Sequence, residues 1–258
     1  MEIWQAIVLG FVQGLTEFFP VSSSGHFALF QKILGINSVG LFFDVMLHVA
    51  TLVPLITVFF SKVLNLFKPP FNKLKLVLTA TLPTVILAIL FNNLVEKAFG
   101  SLTFLIVGFT LTAINLFVCE IVTKKRTLIK RFNYKRALTI GVMQGVAVFP
   151  AISRSGLTIT TGAYLGVDKK ENAEFSFLIS IPVILGGAFS GFLGLLKTGA
   201  ESVEILPLVF GMFSACISGY LAINLMLKFI EKTNYKYFSI YLIILSLILT
   251  ILKVLCVI

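Results

Sequence analysis

Six stretches of this chain are apolar over about 20 residues, the length needed to cross roughly 30 Å of hydrocarbon: 41–60, 76–95, 102–122, 176–196, 205–227 and 237–258. Two further apolar stretches, 3–36 and 138–167, are interrupted near their middles. The first carries Pro20-Val21-Ser22-Ser23-Ser24-Gly25-His26 and the second Pro150-Ala151-Ile152-Ser153-Arg154-Ser155-Gly156. Backbone that leaves a helix at membrane depth loses its hydrogen bonds unless protein or a water-filled cavity surrounds it. Each stretch therefore predicts a re-entrant helix–loop–helix hairpin rather than a span.

The two interrupted stretches repeat each other. With a shift of 131 residues and no gap, 7–36 lies on 138–167, and nine of thirty positions are identical. They are Gly10/Gly141, Gln13/Gln144, Gly14/Gly145, Phe18/Phe149, Ser22/Ser153, Ser24/Ser155, Gly25/Gly156, Leu34/Leu165 and Gly35/Gly166. Matches of Gly, Gln and Ser are much harder to obtain by chance than Leu on Ile. The expected fold is an all-α polytopic membrane protein in one membrane domain, 1–258. It is built as a tandem repeat of approximately 1–123 and 137–258, joined by a basic cytoplasmic loop.

An odd number of spans separates the hairpins, so the second copy is expected to be inverted. The charges agree. Placing 62–75, 124–136, 167–175 and 228–236 inside collects sixteen of the 21 Lys and Arg, while the outer gaps hold only Lys97 and Lys197. That bias follows the positive-inside rule, and inverted halves produce it directly. Both termini are then outside; the first hairpin dips in from outside and the second from the cytoplasm.

Composition narrows the class further. Hydrophobic residues make up 58% and charged residues 12%, with a mean hydropathy of +1.02. A soluble domain carries about 25% charged residues, so a water-facing surface is excluded. Disorder, a collagen-like chain and a disulfide scaffold are excluded too, because Cys119, Cys216 and Cys256 all lie in apolar stretches at no metal-like spacing. A net charge of +10 would suggest nucleic acid in a soluble chain. Here it sits in the gaps between spans, so it sets topology and no nucleic-acid partner is expected. The N-terminus lacks a basic region and a small-residue cleavage site, so no cleaved leader is expected.

Ionisable groups within apolar segments are costly and mark function by default. They are Glu17, His26, Asp44, His48, Glu120 and Arg154. Inverted repeats bring their broken helices together, which sets Glu17, Ser22, Ser23, Ser24 and His26 against Ser153, Arg154, Ser155 and Gly156. Arginine has a fork suited to phosphate. Ser-Gly turns opening helices offer hydroxyls and backbone N–H groups. Glu17 and His26 are acid/base side chains that could serve a hydroxyl nucleophile. Together these point to a phosphorylated lipid as substrate. Structural readings stand beside this one: an Arg154–Glu17 ion pair, an Asp44–His48 pair one helical turn apart, Glu120 at an interface. Gln13 and Gln144 suit helix–helix hydrogen bonding as well as substrate contact, and the 124–136 run suits a topology anchor or anionic lipid heads.

At these residues the chain resembles a known family. The segment from Gln13 to His26 resembles the first signature of the bacterial undecaprenyl-diphosphate phosphatases of the bacitracin-resistance type. The segment from Pro150 to Gly156 resembles the second, and the resemblance continues through Ala173-Glu174-Phe175-Ser176-Phe177. It implies hydrolysis of undecaprenyl diphosphate to the monophosphate carrier of cell-wall synthesis, and bacitracin resistance. It also implies a divalent cation (Mg or Ca), a homodimer in the bacterial cell membrane, and a site open to the outer face. Glu17, Ser23, His26 and Arg154 match the catalytic positions, Glu17 also as a metal ligand. Gln13, Ser22, Ser24, Gly25, Ser153, Ser155 and Gly156 complete the substrate site. Gln13 stands where many members have Glu, and Ala151 where they have Gly. Water, Ser23 and His26 all remain open as the attacking group.

Two rival classes share some of these features. The other class of membrane lipid phosphatases needs a second histidine shortly after its arginine, and 157–166 contains none. An inverted-repeat transporter or flippase of a phosphorylated polyprenyl lipid has the same architecture. It needs neither nucleophile nor acid/base group beside the arginine.

Overall fold

The computed structural model describes residues 1–36, 41–99, 101–123, 131–198, 204–230 and 234–255. Most of the basic 124–136 run, and Cys256, lie outside them. The described residues form eleven α-helices and no strand: α1 (Ile3–Phe18), α2 (Ser23–Ile33), α3 (Leu41–Val58), α4 (Phe60–Leu66), α5 (Asn72–Phe99), α6 (Leu102–Thr123), α7 (Tyr134–Val146), α8 (Arg154–Tyr164), α9 (Lys169–Thr198), α10 (Ile205–Ile230) and α11 (Lys236–Val254). Five of them, α5, α6, α9, α10 and α11, are long and apolar enough to cross a membrane.

A sixth span exists only if α3 and α4 count together, because they meet at a 90° bend. The sequence predicts one straight element over 41–60. The bend falls at Phe59, whose ring is buried against Phe177 at 5.8 Å between centroids. Beyond it, Lys62 pairs with Glu174 of α9. Hydrogen bonding continues through the corner, since Lys62 and Val63 N–H both donate to the Phe59 carbonyl (2.8 and 2.9 Å). Turning there buries an aromatic ring and pairs a lysine.

Element bounds 131 residues apart coincide closely: α2 with α8, α5 with α10, α6 with α11. Local chemistry repeats as well. Ser22 Oγ accepts the Gly25 N–H (3.3 Å) at the start of α2, and Ser153 Oγ accepts the Gly156 N–H (3.0 Å) at the start of α8. At the other ends, Ile36 N–H donates to the Gln31 carbonyl and Val167 N–H to the Gly162 carbonyl. Gly35 and Gly166 supply the left-handed residue (φ +66° and +78°) that such helix endings use.

Small residues set the helix spacing, as is usual where lipid supplies no hydrophobic drive between helices. A Cβ at Gly10 would stand 2.0 Å from the Gly211 carbonyl oxygen, bringing α1 onto α10. A Cβ at Gly141 would stand 2.2 Å from the Ala80 carbonyl oxygen, bringing α7 onto α5. Hydroxyls tie the same seams: Ser214 Oγ donates to the Ile7 carbonyl (2.8 Å) and Thr84 Oγ1 to the Gly141 carbonyl (3.0 Å).

Candidate active site

The tips of the two broken stretches meet. Gly25 lies against Phe109 and Ala151, where a Cβ would stand 2.6 Å and 2.9 Å from their nearest atoms. A Cβ on Gly156 would meet Pro20 at 3.5 Å. Gly25 and Gly156 are equivalent by the 131-residue shift, and so are Pro20 and Ala151, so the contact is reciprocal. Ser155 Oγ donates to the Phe19 carbonyl across the junction (2.8 Å). Thr112 of α6 fastens the second tip, donating to the Ala151 carbonyl (3.2 Å) and accepting from Ser153 N–H (3.1 Å).

Both turns hold non-glycine residues at positive φ, Ser22 at +71° and Ala151 at +60°. Such conformations cost of order 1–3 kcal/mol and persist only where surrounding contacts enforce them.

Glu17, at the end of α1, is the hub. Its carboxylate is buried, with 5% of the side chain exposed. Arg154 Nη2 donates to Oε1 (2.5 Å), while Ser23 Oγ (2.7 Å) and Gln13 Nε2 (2.9 Å) donate to Oε2. A buried carboxylate is tolerable because a guanidinium and two neutral donors replace its water. Arg154 Nη1 is buried with no partner among the described residues. A cation thus keeps one donor for an incoming acceptor.

Ser23 and His26 part company. His26 Nδ1 lies 2.7 Å from the Ser22 carbonyl, which only accepts, so Nδ1 carries the hydrogen. Nε2 then accepts from Tyr241 O–H at 2.7 Å. Its hydrogen bonds are to Ser22 and Tyr241 rather than to Glu17 or Ser23, and its ring packs edge-on to Phe109 at 5.1 Å. Ser22 and Ser24, and likewise Ser153 and Ser155, stand with hydroxyls 3.3 Å apart beside the caps. Gln144 is separate from the site: its amide donates to Thr84 (2.9 Å), a helix–helix bond.

Asp44 and His48, ionisable residues of an apolar stretch, lie beside Glu17, whereas Tyr241, beside His26, carries no sequence signal for a site. Asp44 and His48 pair as their spacing implies, with Nδ1 3.6 Å from Asp44 Oδ1. In addition His48 Nε2 stands 3.9 Å from Glu17 Oε2. The i,i+4 spacing accounts for the pair; only the rotation of α3 aims it at Glu17. Tyr241 is one of two tyrosines, with Tyr237, in the apolar α11 and carries no pattern. Glu120 is structural, accepting the Tyr235 N–H (3.0 Å) at the start of α11.

A resident divalent cation does not suit this donor set. Among the described residues Glu17 is the one carboxylate where the two tips meet, its oxygens are engaged by three donors, and one donor is itself a cation. Among the described residues no three His, Cys, Asp or Glu side chains group closely enough to hold a metal ion.

An all-helical membrane protein whose two helix breaks close on a carboxylate, a serine and an arginine is defined by these features. The chain belongs to the family described as bacitracin resistance protein BacA, whose profile matches residues 6–248. It is 39% identical over 256 residues to an undecaprenyl-diphosphatase of Carboxydothermus hydrogenoformans, covering 98% of each chain. It is 39% identical over 257 residues to an undecaprenyl-diphosphatase of Halothermothrix orenii, again covering 98% of each. Undecaprenyl-diphosphatase 4 of Bacillus cereus is 36% identical over 244 residues, with 93% of each chain covered.

Proposed function

We propose that this protein hydrolyses undecaprenyl diphosphate to undecaprenyl phosphate and inorganic phosphate, recycling the carrier and conferring bacitracin resistance. Family membership supplies the substrate. The carrying structural observation is Ser23 Oγ donating to Glu17 Oε2 while Arg154 holds the opposite oxygen. A lipid carrier has no use for a hydroxyl aimed at a carboxylate base; a hydrolase does.

In this reading the terminal phosphate enters beside Arg154, whose unpartnered Nη1 takes a phosphate oxygen, under the positive N-terminal ends of α2 and α8. Ser23 Oγ attacks phosphorus and passes its proton to Glu17 Oε2. The bridging P–O bond breaks and undecaprenyl phosphate leaves with its electron pair. Water then attacks the phosphoserine, releasing inorganic phosphate and restoring the Ser23 hydroxyl. His26 acts through structure: its Nδ1–H holds the Ser22 carbonyl and so the strained turn preceding Ser23. Since Glu17 is already engaged, a divalent cation, Mg or Ca, is proposed to travel on the diphosphate, held by phosphate oxygens.

The architecture proposed is the inverted repeat: six spans, counting α3 with α4, and re-entrant α1–α2 and α7–α8. Coincident element bounds, repeated caps and reciprocal tip contacts support it. The placement follows the Lys/Arg bias, in the bacterial cell membrane with the site open to the outer face, and homodimer formation is expected from the family.

The test is phosphate release from undecaprenyl diphosphate by detergent-purified protein, with and without chelator, comparing wild type with Glu17→Ala and Arg154→Ala. Release by wild type that both substitutions abolish is the expected result. No release from folded, metal-supplied wild type would refute the hydrolase, leaving transport of the lipid monophosphate.

A further inference from the structure

Glu17 meets a difficulty that its own contacts do not solve. In two successive steps it must take a proton from Ser23 and then from water, so the first proton has to leave between them. While Glu17 stays protonated it cannot take the proton of the attacking water.

The geometry offers an exit on the same oxygen that receives the proton. Ser23 donates to Oε2, and it is Oε2 that His48 Nε2 faces at 3.9 Å. His48 Nδ1 lies 3.0 Å from the Asp44 carbonyl, an obligate acceptor, so in the neutral ring Nδ1 bears hydrogen and Nε2 holds the lone pair toward Glu17. The Asp44 carboxylate stands behind, 3.6 Å from Nδ1. An imidazolium formed here would lie between two carboxylates, Asp44 on its own helix and Glu17 on α1, with Arg154 of α8 beyond Glu17. This is the order of a base oriented by a carboxylate behind it. The His48 side chain is 29% exposed and Asp44, in the first turn of α3, 37%, against 5% for Glu17, so exposure rises along the line from Glu17 to its two partners.

We propose that His48, oriented by Asp44, accepts through Nε2 the proton that Glu17 Oε2 collects from Ser23. Glu17 returns to the carboxylate that pairs with Arg154 and is free to deprotonate the attacking water. The imidazolium then releases its proton to solvent before the next turnover. The inference rests on the hydrolase reading with Ser23 as nucleophile.

The test uses the full chain in detergent and undecaprenyl diphosphate labelled in its terminal phosphate. His48→Gln should lower kcat by about 10²-fold, the scale of a lost acid–base step, with KM held within about threefold. Asp44→Asn should lower kcat less. Acid-quenched His48→Gln should carry more covalent phosphate than wild type, because the water step waits on Glu17, and imidazole should restore turnover to His48→Ala. A kcat within about threefold of wild type in His48→Gln would overturn the proposal. So would a slowed enzyme that accumulates no phosphate where wild type does, or one that imidazole fails to rescue. Should Ser23→Ala remain active, with no phosphate on any variant, the Ser23 reading falls separately; imidazole rescue of His48→Ala then decides the role of His48 with water as nucleophile.

Discussion

Ser23 and Arg154 occupy the same place in the two halves, each the first residue of its helix and 131 positions apart, and both bind Glu17. Equivalent positions thus carry a hydroxyl at one tip and a cation at the other. The ion pair makes an energetic prediction. Removing one member of a buried pair strands the other, at a cost of about 3–5 kcal/mol, whereas replacing both with apolar side chains is often nearly neutral. Arg154→Met should therefore lower the melting temperature in detergent more than Arg154→Met combined with Glu17→Leu, although both are inactive. Equal melting temperatures would show the pair contributes little to folding. Tyr241→Phe removes one hydrogen bond to His26, worth about 1 kcal/mol, and should lower kcat less than tenfold. His26→Ala also frees the Ser22 carbonyl and should cost more, a comparison steady-state kinetics makes directly.

Helix placement depends on backbone-to-backbone approach, and glycines at the seams can be told apart from glycines that face nothing. Gly10→Ala and Gly141→Ala each set a methyl about 2 Å from a carbonyl oxygen of the neighbouring helix. Both should lower the melting temperature by several degrees, on the scale of an overpacked core at about 1–3 kcal/mol. At Gly186 and Gly187, inside α9, a methyl group would have nothing within 4 Å of it among the described residues. Alanine there should be neutral or raise stability by up to about 1 kcal/mol through helix propensity. Melting curves of the four variants measure the contrast. The two helix breaks were legible because Pro, Gly and Ser cluster within otherwise apolar stretches, and the meeting of Arg154 with Glu17 because matched breaks imply matched tips. The bend at Phe59 was not legible: no glycine or proline marks it, and its cause is a ring and a lysine whose partners lie over a hundred residues away. The rotation that aims His48 at Glu17 is likewise a property of packing, absent from the spacing of Asp44 and His48.

At the scale of the molecule, contacts between helix ends bear on the inverted arrangement independently of the lysine and arginine count. The arrangement puts Met1, the 204 region, the start of α6 and the end of α11 outside. The N-terminal amine lies 3.4 Å from Glu204 Oε2, and Lys253 Nζ donates to Thr103 Oγ1. It puts the 62–75 and 167–175 gaps, the end of α6 and the start of α11 inside. Lys62 pairs with Glu174, the Phe132 and Phe175 rings lie 4.2 Å apart, and Glu120 accepts from Tyr235. Each of these pairs joins two groups assigned to one side, so charge bias and packing support a single topology. Labelling tests it directly. With Cys119, Cys216 and Cys256 replaced by serine or alanine, Glu2→Cys in intact cells should react with a membrane-impermeant maleimide. Lys68→Cys and Lys236→Cys should react only after the membrane is opened. The reverse pattern would turn the molecule over and open the site to the cytoplasm. Two inner positions on opposite faces would break the inverted repeat itself, and with it the odd count of spans that brings Ser23 and Arg154 to one point from opposite sides of the membrane.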